Sequence, residues 1–221
     1  MTHDEIIKAL FDETMIGNAP AVLELTNKAL AEGMGPDTIL FEALIPSLEE
    51  VGARFERGDY FVPEMLIAGK AMSGALNVLR PLLAETGAET VGTFLMGTVK
   101  GDVHDIGKNL VNIMLEGAGF KVIDIGVQVA PEKFIAAINE HQPDILGMSA
   151  FLTTTMPMFK VNIHEITKAG LRDKVIIMVG GAPVTQEYAD AVGADGFAAD
   201  ASTAVRVAKD LIQKKRALVN A

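Results

Sequence analysis

One histidine between two aspartates, inside a glycine-rich stretch, has the greatest capacity for chemistry in this sequence: Gly97-Thr98-Val-Lys-Gly101-Asp102-Val103-His104-Asp105-Ile106-Gly107-Lys108-Asn109. Loops of this kind often cradle phosphates, and the segment Gly101 to Gly107-Lys108-Asn109 is close to a nucleotide phosphate loop. It fails on two counts. Its glycines are one residue too far apart, and Asn109 stands where a Ser or Thr would hold Mg²⁺. Asp102 and Asp105 would also repel an incoming polyphosphate. The G-x-G-x-x-G dinucleotide fingerprint is absent. A transition metal suits the loop better. A ligating imidazole is neutral at the nitrogen facing the metal, and a carboxylate commonly holds its other N–H. Asp102, two residues before His104, can do that. No other histidine or acidic cluster has ligand spacing, so a site built from protein alone would be short of donors. The remaining ligands would have to come from a macrocycle.

The elements that position this loop are readable from periodicity. An apolar run, Thr90–Met96, precedes it and an amphipathic one, Leu110–Leu115, follows, which reads as strand, loop and helix. A ligand loop in a parallel α/β sheet leaves the carboxyl end of a strand in this way. Further strands are expected at Lys121–Ile125, Ile145–Ala150, Val175–Val179 and Gly196–Ala199. Helices are expected at about 107–118, 131–141, 155–169, 185–192 and 202–218. Nearly all-apolar strands, each followed by a helix, predict a five-stranded parallel sheet covered on both faces, doubly wound and flavodoxin-like (Rossmann-like).

Residues 4–85 carry helical signals instead. Asn18 is placed to cap a second helix with Pro20 in its first turn, Pro46 to kink a third, and Arg57-Gly58-Asp59 to stop it. The fourth helix carries the stripe Met65, Leu66, Ala68, Met72, Ala75, Leu76 and Leu79, and methionines in such a stripe are usually core filler. A small antiparallel four-helix bundle over 1–88 and an α/β domain over 89–221 follow, joined by a polar hinge at 86–89.

Composition limits the function. The chain has 221 residues, 49% of them apolar, no cysteine and a net charge of −10. Residues 1–88 hold 6 Lys/Arg against 14 Asp/Glu, and residues 89–221 hold 13 against 15. A basic face for nucleic acid is therefore missing, as are a thiolate metal site and a disulfide framework. No apolar run approaches the ~20 residues of a membrane span, and no secretory signal is read. A cytoplasmic protein that engages neither nucleic acid nor membrane is expected.

Three motifs in order, Asp102-x-His104-x-x-Gly107, Ser149-x-Phe151 and Gly180-Gly181, resemble the D-x-H-x-x-G, S-x-L and G-G signature of cobalamin-binding domains. The helical part, with Phe55-Glu-Arg-Gly-Asp-Tyr-Phe-Val-Pro-Glu-Met-Leu, resembles the cap module of methionine-synthase-like proteins. The resemblance spans nearly the whole chain and is strongest to the stand-alone corrinoid proteins of methyltransferase systems. Phe151 departs from the pattern, which has Leu.

The resemblance implies that a cobalamin or related corrinoid binds base-off/His-on, with His104 as lower axial ligand to cobalt. Asp102 would accept the imidazole N–H and Ser149 would hydrogen-bond Asp102, making a proton relay. Val103, Asp105, Ile106 and Gly107 belong to the cofactor loop, although Asp105 and Lys108 are equally explained as decoration of a helix start. Gly97 and Thr98 would let the corrin edge approach. Ser149, Phe151, Thr153, Gly180, Gly181, Ala199 and Asp200 would line a slot for the displaced nucleotide tail. Gly147 and Ala182 would add space there. Phe61, Met65 and Met72 would cap the methyl face. The cofactor would cycle between methylcob(III)amide and cob(I)amide.

The implied function is a methyl carrier between a substrate:corrinoid methyltransferase and a second methyltransferase acting on tetrahydrofolate or a thiol, served by a reductive activator protein. A cobalamin-dependent sensor, the cobalamin subunit of a mutase and a plain nucleotide module are the alternatives.

Overall fold

The computed structural model describes residues 1–86 and 90–219, and the expected hinge falls mainly on 87–89, outside the described residues. The chain divides into two compact units: Met1–Thr90 with Glu116–Gly119, and Val91–Leu115 with Phe120–Ala221.

The first unit is helical. Helix α1 (His3–Met15) opens with a reciprocal cap, the Thr2 hydroxyl accepting the Glu5 N–H and the Glu5 carboxylate accepting that of Thr2. Asn18 caps α2 (Ala19–Ala31), as its position ahead of Pro20 implies. The third helical run comprises α3 (Pro36–Ile39), a π-helical turn over Leu40–Leu44, and α4 (Ile45–Arg57). The π turn is this run's answer to Pro46. In that turn the Ile45 N–H reaches back to the Leu40 carbonyl, and one extra residue is inserted just before the proline. Gly58, left-handed at φ +80°, ends α4. Helix α5 (Val62–Thr86) packs against α2, α4 and α1. Met65 and Met72 are fully buried along it while Phe61 is exposed. The two methionines are therefore core side chains in this structure, and of the three residues expected at the methyl face only Phe61 is exposed. Burying each methionine contributes about 1.5–3 kcal/mol.

The second unit is a doubly wound α/β domain. Its strands are β1 (Thr93–Thr98), β2 (Lys121–Asp124), β3 (Ile145–Ser149), β4 (Ile176–Gly180) and β5 (Gly196–Ala198). They form one all-parallel sheet in the order β2-β1-β3-β4-β5. Its helices are α6 (Ile106–Gly117), α7 (Pro131–His141), α8 (Pro157–Lys168), α9 (Gln186–Val192) and α10 (Ala201–Val219). One face of the sheet buries Leu95, Leu146, Met148, Ile177 and Val179 in a core with Phe134 of α7 and Phe159 of α8. On the opposite face Gly147 lies beneath Phe94 and Met96, and Gly196 beneath Val207 and Leu211 of α10.

β1 starts three residues later than the sequence implies and runs through Gly97 and Thr98, which pair with Met148 and Ser149. A Cβ on Gly97 would lie 2.9 Å from the Phe134 ring, so this glycine makes room for a core aromatic within the sheet. The same holds for Gly147, where a Cβ would lie 2.4 Å from Phe94. Neither glycine opens space for a ligand, contrary to expectation.

Just past β4, Gly181 adopts φ +135°, and a Cβ there would fall 1.9 Å from the Ala150 carbonyl oxygen. That approach joins the ends of β3 and β4. Gly181→Ala should therefore cost about 2–5 kcal/mol in urea unfolding, from backbone strain plus displacement of Ala150. Gly193→Ala, left-handed at φ +81° but with nothing within 4 Å, should cost only about 1–2 kcal/mol.

Candidate functional site

In this strand order the chain leaves β1 toward β2 on one side and returns through β3 on the other. The loops after β1 and β3 consequently part at the carboxyl edge of the sheet, where open α/β sheets place their ligands. His104 lies on the first loop and Phe151–Thr155 on the second.

The His104 loop is held by its backbone. Its Asp102 N–H donates to the Val99 carbonyl (3.1 Å), and the Thr98 hydroxyl donates to that of His104 (3.2 Å). Across the site, the Gln128 N–H donates to the Asp102 carbonyl (3.0 Å), with Gln128 itself left-handed at φ 52°. Thr98 is thus a fully buried clamp on the histidine loop and not a surface for a corrin edge.

Asp102 is the centre of the site. Its side chain has no exposure to solvent. Oδ1 accepts the His104 backbone N–H at 3.0 Å and lies 2.8 Å from His104 Nδ1. Oδ2 accepts from Phe151 N–H (2.8 Å), Leu152 N–H (3.2 Å) and the Thr155 hydroxyl (2.7 Å). The Leu152 carbonyl also lies 2.8 Å from the Thr155 hydroxyl, but one proton cannot serve both. The buried carboxylate is the stronger acceptor and takes it. Burial by itself would raise the Asp102 carboxyl. The hydrogen bonds from Thr155, the His104 backbone, the His104 ring and Phe151 outweigh it and hold the group well below the usual carboxylate range.

An ionised Asp102 requires a proton on Nδ1, which leaves a lone pair on Nε2 of the neutral ring. Nε2 has no hydrogen-bond partner among the described residues, and the side chain is 43% exposed. Exposed apolar side chains lie around it: Val103 on its own loop and Ile106 at the start of α6, Phe151 and Leu152 opposite, and Val127 before Gln128. Among the described residues no three His, Asp or Glu side chains converge on a metal position. One available imidazole nitrogen within an apolar rim fits a metal whose other ligands come from a flat, largely apolar macrocycle.

The other motifs fall on one line. Thr98, Ser149, Gly180 and Ala198 are register partners across β1, β3, β4 and β5, so the carboxyl ends of four strands meet in a row. Gly181 and Ala199 follow directly, and Thr153 is exposed on the loop after β3. Asp200 has a second occupation, its carboxylate accepting the Thr203 N–H (2.7 Å) at the start of α10. Asp105 sits at the start of α6 with its carbonyl accepting the Asn109 N–H (2.7 Å), and Gly107 is exposed.

Two side chains depart from expectation. Thr155, not Ser149, donates to Asp102; among the described residues Ser149 has no hydrogen bond to that carboxylate. The geometric reason is that Ser149 still belongs to the strand, whereas Thr155 returns over Asp102 once the loop has turned. The run Thr153-Thr154-Thr155 offered that hydroxyl, but linear order could not choose among them. Lys108 is buried rather than decorative. Its ammonium pairs with Asp124 and donates to Asn109 Oδ1, while Asp124 accepts the Gly126 N–H (2.9 Å). This pair anchors the loop that carries Val127 and Gln128. A lysine directly after a helix-start glycine carries little signal of burial.

Comparison with known proteins bears on what this geometry holds. A family model described as a B12 binding domain matches residues 92–208, and a second B12 binding domain model matches residues 6–80. The chain is 42% identical over 213 residues to the dimethylamine corrinoid protein of Methanosarcina barkeri, covering 96% of this chain and all of that one. It is 38% identical to trimethylamine corrinoid protein 1 of Methanosarcina acetivorans over 99% of both chains. Among solved structures, the methanol:cobalamin methyltransferase complex MtaBC from Methanosarcina barkeri superposes with a TM-score of 0.84 at 28% identity. That match covers 96% of this chain and 81% of the other.

The Asp102 hydrogen bonds have a measurable consequence. A carboxyl held below its unfolded value stabilises the fold above the unfolded aspartate pKa of about 3.9. That contribution disappears as pH falls through the folded value. Thr155→Val removes one charge-assisted donor and should cost about 1.5–3 kcal/mol in urea unfolding at pH 7. The gap between variant and parent should hold down to about pH 4 and narrow below it.

Proposed function

We propose a function from this premise: the chain belongs to the B12-binding corrinoid protein family. It binds a corrinoid and serves as the methyl-carrying component of a methyltransferase system. The observation that carries the finer reading is the available Nε2 of His104, backed by a buried carboxylate and surrounded by apolar side chains.

When bound, the corrinoid supplies a cobalt centre that takes up a methyl group and hands it on. His104 would hold the cobalt through Nε2, its one ring nitrogen without a partner among the described residues. Asp102 keeps the proton on Nδ1, and through it raises the donor strength of Nε2. Thr155 and the Phe151 and Leu152 N–H groups keep Asp102 ionised and in place. Val103, Ile106 and Leu152, exposed around the ring, would pack against the bound corrinoid and keep water from the imidazole. The line of Ser149, Gly180, Gly181 and Ala199, with exposed Thr153 beside it, would hold the cofactor's nucleotide tail.

The partners are a substrate:corrinoid methyltransferase that loads the carrier and a corrinoid:tetrahydrofolate or corrinoid:thiol methyltransferase that unloads it. A reductive activator protein would be the third partner. Relatives named for dimethylamine and trimethylamine support a methylamine as the methyl source. No described helix is long and apolar enough to cross a membrane.

Reconstitution with hydroxocobalamin should give a base-off/His-on spectrum. His104→Ala should move it to a water-ligated, base-off form with the fold intact by circular dichroism; an unchanged spectrum would reject the ligand assignment. Asp102→Asn offers Nδ1 an amide donor and drives the proton to Nε2. It should lower the His-on fraction by roughly 10–100-fold, read from the same spectrum.

A further inference from the structure

The ring of Phe151 stacks on the imidazole of His104, with centroids 4.4 Å apart and planes 30° apart. Phe151 is half exposed, so close packing of the core does not impose this arrangement. The imidazole is otherwise held along one edge, by the contact of Nδ1 with Asp102 at 2.8 Å. A single hydrogen bond at an edge is a pivot, and the ring plane can still swing about it. A flat aromatic face against the imidazole removes that swing. The same residue donates its backbone N–H to Asp102 Oδ2 at 2.8 Å. Phe151 therefore grips the carboxylate with its main chain and the imidazole with its side chain.

We propose that Phe151 is a positioning residue for the axial ligand: its ring holds the His104 plane so that Nε2 stays aimed outward, which favours His104 on the metal. This rests on the reading of His104 as the cobalt ligand. An aliphatic side chain of similar volume would keep the apolar contact and lose the face-to-face restraint. Stacked aromatic pairs exceed their area burial by roughly two- to tenfold in equilibrium terms. The His-on equilibrium should change by that factor when the ring is removed.

Three variants of the full-length chain test it: Phe151→Leu, Phe151→Tyr and His104→Ala. In the protein without cofactor, the carbon-bound ring protons of His104 should resonate upfield in the parent and in Phe151→Tyr. In Phe151→Leu they should move downfield as the ring current is lost. After reconstitution with cob(II)alamin, nitrogen coupling in the electron paramagnetic resonance spectrum reports His104 ligation, and the Co(II)/Co(I) midpoint reports its strength. Co(I) prefers no axial ligand, so a weaker His104 bond to Co(II) moves the midpoint positive. A tenfold weakening corresponds to about 59 mV for one electron. The expected result is a positive shift up to that size in Phe151→Leu and parental values in Phe151→Tyr. Unchanged ring-proton positions in Phe151→Leu overturn the stack. Moved ring protons with an unchanged midpoint overturn its role in ligation. Should His104→Ala itself keep the parental nitrogen coupling and midpoint, the ligand reading fails first and the proposal falls with it, whatever Phe151→Leu does.

Discussion

A fully buried carboxylate accepting hydrogen bonds from two loops is the constraint on which the site depends. Among the described residues no Lys or Arg side chain pairs with Asp102; its charge is met by three backbone N–H groups, one hydroxyl and one imidazole. An ionised group out of water is tolerated only when its lone pairs are filled in this way. Satisfying Asp102 therefore fixes several things together. It joins the loop after β1 to the loop after β3, sets the tautomer of His104, and leaves one ring nitrogen for a ligand.

The sheet makes that convergence possible. With β1 at the reversal of strand order, two loops that are distant in sequence open side by side at one edge. The register then carries Thr98, Ser149, Gly180 and Ala198 into one row, and the near contact of Gly181 with Ala150 closes the edge between β3 and β4. The pairing of buried Lys108 with Asp124 supports the third loop, whose Gln128 N–H reaches the Asp102 carbonyl. Several polar side chains that look like surface decoration in one dimension act as struts in three.

The sequence was legible where the signal is local or repetitive. Alternation of apolar runs with amphipathic stretches locates all five strands to within about three residues, because a strand buried on both faces must be apolar at nearly every position. Asn18, Pro20 and Gly58 mark helix ends for reasons internal to their own turns. Pairing of His104 with Asp102 is also local, two residues apart on one loop. Legibility ended at Gly97 and Gly147. Glycine reads as a loop or a ligand slot, whereas here it clears space for Phe134 and Phe94. Met65 and Met72 show the same limit in the helical unit, where a helical stripe does not say which of its residues are core and which are contact surface.

From the order of residues alone came the fold class, the family and the pairing of His104 with Asp102, since each is written in spacing that survives without coordinates. The tertiary structure decided which hydroxyl serves Asp102 and which aromatic rests on His104. Thr155 is 53 residues from Asp102, and Phe151 is nearly as far from His104. Neither contact follows from periodicity, because a hydrogen bond or a stack depends on where a loop points its side chains after it leaves the strand. That direction is set by strand order and register, and neither exists until the sheet has formed.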